Sequence, residues 1–97
     1  MIVRLHKTHN GRVVVAICDK EILGKVFNEK KLQLDLASNF YRGEEKNESE
    51  IEKILKGVNS INAAGKKTVD FLMKKKFIEE KDIKKIKNVP HIQIVVM

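Results

Sequence analysis

The stretch Ser60-Ile61-Asn62-Ala63-Ala64-Gly65-Lys66-Lys67 decides most about how this chain folds. Ser60 and Asn62 are residues that cap helices well, so we predict a helix from about Asn62 to Lys76. Its first charges are two lysines, although the unpaired N–H groups of a helix N-terminus favour acids. A bound anion removes this conflict, and a small residue lets the backbone approach that anion closely. The alternative is that Ser60 and Asn62 only cap the helix while both lysines point into water, which costs little. The predicted phosphate or carboxylate site comprises Ser60, Asn62, Gly65, Lys66 and Lys67.

The composition is typical of a soluble globular protein, with 42% hydrophobic and 34% charged residues among 97. A chain of this length has room for one core, so residues 1–97 are predicted to form a single domain. The longest strictly apolar run, residues 13–18, is too short to cross a bilayer, and we expect no membrane contact. One cysteine and no evident export signal predict a cytoplasmic protein without a disulfide framework.

The formal net charge of +7 is unevenly distributed along the chain. Residues 1–43 carry 8 basic and 4 acidic side chains, residues 44–65 carry 3 and 5, and residues 66–97 carry 9 and 4. A basic C-terminal half beside an acidic helix favours an anionic partner that contacts one side of the molecule. A lysine-rich surface that is merely solvated explains the same charge, and only three of the 20 basic residues are arginines.

Two β-rich runs at residues 2–8 and 12–19 are joined by Asn10-Gly11, which predicts a β-hairpin with a two-residue type I′ turn. Such a loop pairs Lys7 with Val14 and Val3 with Cys18. One face of the hairpin is then expected to face the core: Val3, Leu5, Val14, Ala16 and Cys18.

The remaining pattern predicts an α+β fold. We expect a helical turn that stops at Gly24, a strand near residues 32–36, and a helix opened by a capping box from Asn47 to Glu50. A short helix or turn near residues 83–86 leads to a last strand from His91 to Met97. The predicted architecture is one small mixed sheet that contains the N-terminal hairpin and the C-terminal strand. The helices pack on one face, and the two terminal strands are neighbours.

Four polar residues at strands or at the hairpin turn form a second candidate set, a shallow polar binding surface: His9, Arg12, His91 and Gln93. Ordinary exposed strand polarity explains them equally well. No Cys-x-x-Cys or His-x-x-x-His spacing is present, so we predict no metal site and no other cofactor. Cys18 is expected to be a buried hydrophobic residue, and we assign no catalytic residue.

Several segments together resemble an uncharacterised archaeal family, domain-of-unknown-function family 424. They are residues 1–3, 6–9, 11–19, 21–25, 40–44 and 89–95, together with Asn62 and Gly65. The resemblance covers essentially the whole chain and implies an archaeal cytoplasmic source. It implies no activity, and no functional residue is carried over from it.

Three functions follow as hypotheses. The first is a non-enzymatic module that binds an anionic partner, RNA in a translation setting, with phosphate contacts from Lys7, Arg12, Lys66, Lys67, Lys74 and Lys75. The second is a small enzyme or ligand-binding protein that uses His9, His91 and the helix start on a phosphorylated metabolite. The third is a protein-interaction subunit. The sequence predicts neither the oligomeric state nor whether His9, His91 and Ser60 meet in space.

Overall fold

A computed structural model describes residues 1–96; Met97, which the sequence predicts to end the last strand, lies outside them. The strands are β1 (Ile2–Lys7), β2 (Val13–Cys18), β3 (Val26–Glu29), β4 (Leu32–Asp35), β5 (Glu44–Glu45), β6 (Ser60–Ala64), β7 (Lys84–Ile86) and β8 (Val89–Val95). The helices are α1 (Glu48–Leu55) and α2 (Lys66–Lys74). Short 3-10 turns cover Lys20–Ile22, Asn39–Tyr41 and Glu80–Asp82.

Six strands form one mixed sheet in the order β5-β1-β2-β6-β8-β7. The pairing of β2 with β6 is parallel, and the other four pairings are antiparallel. β3 and β4 form a separate hairpin. The sheet contains both the N-terminal hairpin and the C-terminal strand, as predicted. The prediction that the terminal strands are neighbours is wrong, because β2 and β6 lie between β1 and β8.

The two faces of the sheet are covered differently, which confirms the α+β class with helices on one face. The helices bury one face in a cluster that includes Ile17, Ile51, Ile61, Leu72 and Ile92. The opposite face is covered towards one end of its strands by the β3–β4 hairpin and the Asn39–Tyr41 turn, which pack on Ile2, Cys18, Ala64 and Ile86. The other end of that face is left uncovered.

The predicted register of the N-terminal hairpin is wrong by one residue. Lys7 pairs with Val13 and Val3 with Ile17, because the loop has three residues rather than two. The Thr8 N–H donates to the Arg12 carbonyl at 2.8 Å, and Gly11 has a φ of +83°. A slip of one residue exchanges the faces of a whole strand. Val3 and Leu5 therefore share the helix side with Val13, Val15 and Ile17, while Val14, Ala16 and Cys18 lie on the other side.

The predicted start of the second helix is also wrong. Residues 60–64 form β6, which lies between β2 and β8, and α2 begins only at Lys66. Helix propensity is a weak influence, and here pairing on both sides outweighs it. Gly65 connects strand to helix in one step, with a φ of +108° and its N–H donated to the Pro90 carbonyl at 2.9 Å.

The predicted capping box at the start of α1 is confirmed. The Glu50 N–H donates to the Asn47 side chain at 2.9 Å, and the Asn47 N–H donates to the Glu50 carboxylate at 3.1 Å. The turn before Gly24 is present as Lys20–Ile22, and β4 matches the predicted third strand. The sequence did not reveal β3, β5 or β7, each of which has only two to four residues.

Candidate functional site

The N-terminus of α2 already holds an anion, and that anion belongs to the chain. The Asp19 carboxylate accepts hydrogen bonds from the backbone N–H of Lys67 at 3.1 Å and of Thr68 at 2.8 Å. It also accepts one from the Thr68 hydroxyl at 2.7 Å. Asp19 is 8% exposed and Thr68 is fully buried. The carboxylate thus supplies the negative charge that the sequence lacks at this helix start.

Gly65 makes this arrangement possible. A Cβ added at Gly65 would lie 2.3 Å from the carboxyl carbon of Asp19, and the positive φ strains any other residue. The small residue predicted to let an anion approach does so, but the anion is Asp19. The conflict that motivated an external phosphate is therefore resolved inside the fold.

The two lysines of this helix start differ in their surroundings. Lys67 Nζ lies 2.9 Å from the Glu21 carboxylate, and this exposed contact lowers the pKa of Glu21 and raises the pKa of Lys67. Lys66 is exposed and forms no salt bridge within residues 1–96. One of the two predicted phosphate-binding ammonium groups is thus paired already.

Ser60 and Asn62 are separated from this helix start, because they lie on β6. Asn62 pairs with Gln93 across β6 and β8, and Ser60 pairs with Val95. These four side chains lie on the sheet face opposite the helices. Each is half-buried or exposed, and Val95 is 73% exposed. The structure therefore joins members of the two predicted sets, Ser60 and Asn62 from one and Gln93 from the other.

We call this uncovered part of the sheet the open face: His6, Val14, Ser60, Asn62, Gln93 and Val95. Its cross-strand row from His6 through Val14 and Ser60 to Val95 follows the register of four adjacent strands. Three strand spacings make that row about 14 Å long. The side-chain amides of Asn62 and Gln93 form no hydrogen bond to any other group within residues 1–96. The open face is thus a shallow surface with polar groups still able to bond.

The stacked rings of His6 and Phe40, which we call the aromatic wall, lie at one end of the open face. The rings of His6 and Phe40 stack with centroids 4.4 Å apart and planes at 7°, and His6 Nε2 donates to the Phe40 carbonyl at 2.8 Å. Phe40 also meets the ring of the buried Tyr41 edge-on at 5.2 Å. Phe40 remains 36% exposed. A rigidly held ring is therefore partly accessible at the His6 end of the open face.

The Arg4 side chain holds the Asn39–Tyr41 turn, which contains Phe40, in place. Its guanidinium donates to the carbonyls of Asn39 at 3.3 Å and Arg42 at 3.1 Å. Both carbonyls belong to the segment around the Asn39–Tyr41 turn, so the side chain ties β1 to the segment that presents Phe40. Arg4 and His6 together fix the position of that ring.

His91 lies on the same sheet face, beyond the open face. It pairs with Ala64 on one side and Lys84 on the other. Burial and the positive charge of Lys84 lower the pKa of His91, while a hydrogen bond with the Val89 backbone opposes them. Its Nδ1 is buried without a hydrogen-bond partner among residues 1–96. Asp82, Lys84 and Gln93 line a hollow of about 150 Å³ beside it.

The structure does not bring the predicted histidines together. His9 and Arg12 are exposed in the β1–β2 loop, at the Ser60 end of β6, whereas His91 lies at the Ala64 end. Four residues of strand separate Ser60 from Ala64, or about 13 Å. A single small substrate cannot contact His9, His91 and the start of α2 together. In the described part of the chain, no group of three His, Cys, Asp or Glu residues is placed to hold a metal ion.

Comparison with protein families identifies a match to most of the chain. The model of the family described as "Protein of unknown function (DUF424)" matches residues 6–97.

The chain belongs to this family.

A solved structure supports the same fold. The "Crystal structure of an uncharacterized conserved protein from Methanopyrus kandleri" matches with a TM-score of 0.81 and 24% sequence identity. The match covers 99% of this chain and 90% of that one. Identity this low supports the fold alone. No curated protein matches. No helix among residues 1–96 is long and apolar enough to cross a membrane.

Sequence reasoning missed two arrangements in this family member, the hydrogen bonds of Asp19 and the His6–Phe40 stack. Asp19 follows a strand at a distance of 48 residues from Lys67, and no local pattern links the two. His6 and Phe40 are 34 residues apart. The available signals were an acid at the end of an apolar strand and an aromatic residue in an otherwise polar connection.

Replacing Asp19 with alanine should destabilise the fold by about 2–3 kcal/mol, because two N–H groups and one hydroxyl lose a charged acceptor. Urea unfolding at neutral pH measures the change. Glu21→Gln is the matched control, since it removes the exposed partner of Lys67 at the same helix end and should leave stability nearly unchanged. Equal stability of Asp19→Ala and wild type would contradict the role of Asp19.

His91 should make the fold less stable in mild acid. Its folded-state pKa lies below the ordinary value of 6.5, so the unfolded chain binds the proton first and stability falls as pH drops through that range. We expect His91→Gln to show a smaller loss of unfolding free energy between about pH 7 and pH 5 than wild type. Urea unfolding at both values checks this, and an identical loss in the two proteins would exclude His91 as the cause.

Proposed function

We propose that this protein is a non-enzymatic module that binds RNA through the acid-free part of its main sheet. The supporting observation is the distribution of charge over the strands. β1, β2, β6, β7 and β8 contain no aspartate or glutamate, and their charged residues are Arg4, Lys7, Lys84 and Lys85. Acids in the sheet are confined to β5 at one edge. A continuous surface without negative charge attracts a polyanion over several strands.

The open face provides the place for contact. It lies on these acid-free strands, and Arg4 and Lys84 belong to the same side of the sheet by register. Asp82 borders the hollow beside Lys84, but its carboxylate accepts the Glu79 N–H at 2.9 Å. Apart from this one carboxylate at the border, the strands present cations and neutral polar groups to the partner.

The surface around α2 supports RNA binding less well. Lys67 is paired with Glu21 at 2.9 Å and Lys75 with Glu52 at 3.5 Å, and Asp70 is exposed on the helix itself. Phosphates at Lys66 and Lys74 would approach a surface of mixed charge. We therefore place RNA binding on the sheet. The α2 lysines contribute only to the long-range electrostatic field of a chain with net charge +7.

The enzyme alternative receives less support from the geometry. A hollow of about 540 Å³ lies between the start of α2 and β7, where Lys66 and Lys85 are accompanied by Asp70 and Glu80. It includes none of the three histidines. A protein-interaction role remains an outcome that the experiments below distinguish.

Lys84→Gln should weaken binding to a short single-stranded RNA and flatten its salt dependence by about 0.7 in the slope of log K against log salt. Lys53→Gln is the control, because it removes the same charge from an exposed position on α1, on the helix side of the sheet. Fluorescence anisotropy over a salt series measures both. Absence of RNA binding near physiological salt, or equal effects of the two variants, would refute the proposal for the sheet.

A further inference from the structure

We infer that the open face and Phe40 together bind unpaired RNA bases: one base stacks on Phe40, and the edge of a neighbouring base is bonded by the amides of Asn62 and Gln93. This inference rests on the proposed RNA binding and adds the form of RNA that is recognised. It also revises the sequence-based view that RNA would be held by backbone charge and shape alone.

The exposed ring of Phe40 is the first feature that supports the inference. Phe40 is held between the parallel ring of His6 and the edge-on ring of Tyr41, yet it is 36% exposed. A partly exposed aromatic ring that is already immobilised loses little conformational freedom when a base stacks on it. Every base has a flat face, so stacking of this kind tolerates sequence.

The side-chain amides two and three strands away from His6 are the second feature that supports the inference. Asn62 and Gln93 are cross-strand partners, and neither amide is bonded to another group in residues 1–96. Each amide has both a donor and an acceptor, as base edges require. Ser60 and Val95 add one hydroxyl and one apolar surface on the same face.

The charge on this side of the sheet is the third feature, and it favours RNA over a protein segment as the bound partner. No acid lies on the strands that form the open face, and Arg4 and Lys84 belong to the same side of the sheet. The bases of a duplex are stacked on one another and cannot offer a face to Phe40. The geometry therefore points to a loop, bulge or single strand.

The test compares three labelled RNAs in anisotropy titrations: a ten-nucleotide single strand, a strand of the same length in which every site is abasic, and a duplex of the same sequence. All three retain phosphates. Wild type should bind the intact strand about tenfold more tightly than either of the others, since stacking of each base is worth roughly that factor. Phe40→Leu should reduce this preference to nearly one while leaving the affinity for abasic RNA unchanged.

Two further variants keep the test specific. Phe77→Leu, the same substitution at a half-buried ring on the helix side, should retain the wild-type preference. Gln93→Ala, at an exposed strand position, should reduce differences among oligo-U, oligo-C and oligo-A. Circular dichroism melting verifies that each variant is folded.

The outcomes separate this inference from the proposed function. Equal affinity of wild type for intact, abasic and duplex RNA would overturn base recognition and leave RNA binding standing. No affinity for any of the three RNAs would overturn both. A concentration-dependent mass that Phe40→Leu abolishes, with no RNA affinity, would assign the open face to a contact between protein chains instead.

Discussion

The hydrogen bonds from the start of α2 to the Asp19 carboxylate are the constraint on which the rest of this structure depends. Asp19 follows β2, and its own N–H donates to the Ala64 carbonyl at 3.1 Å, so one residue joins β2, β6 and α2. A buried carboxylate is costly unless hydrogen bonds compensate it. Here three donors do so, and Gly65 leaves them the space. The strand-to-helix turn therefore has one geometry, which fixes α2 against the sheet.

This internal anion changes where an external one is expected. The partial positive charge of the α2 N-terminus is already satisfied by Asp19, and Lys67 is satisfied by Glu21. The strands of the sheet contain no such internal acid, apart from β5 at the edge. A polyanion gains most where positive charge is not yet compensated. Arg4 and Lys84, which lie on the same side of the sheet as the open face, form no salt bridge within residues 1–96.

The sequence predicted the class of fold and much of its order, because period-two alternation and capping boxes are local signals. α1 and the alternation of β8 illustrate this. The failures have two causes, a local ambiguity in one loop and pairing with distant parts of the chain. Nothing near Gly11 distinguishes a two-residue from a three-residue loop, yet that difference exchanges the faces of β2. Residues 60–64 are small enough for either element, and they become a strand because β2 and β8 lie on both sides.

The same reasoning explains the partial success with the candidate site. Polar residues on strands are visible in the sequence, so Gln93 could be named as one. Asn62 was also named, but as part of a predicted helix start. That these two residues are cross-strand partners could not be predicted without the strand order of the sheet. The position of Phe40 could not be predicted, because it depends on the long connection that returns over β1. Hydrogen bonds of Arg4 and His6 hold that connection in place.

The most direct measurement is a titration of ¹⁵N-labelled protein with the ten-nucleotide single strand, followed by amide chemical shifts. If the account is right, the largest shifts occur at Phe40, Asn62 and Gln93, and the Gly65 and Thr68 amides change little because the Asp19 hydrogen bonds remain intact. Largest shifts at Gly65, Lys67 and Thr68 would show that the helix start binds the phosphate, and would contradict the account.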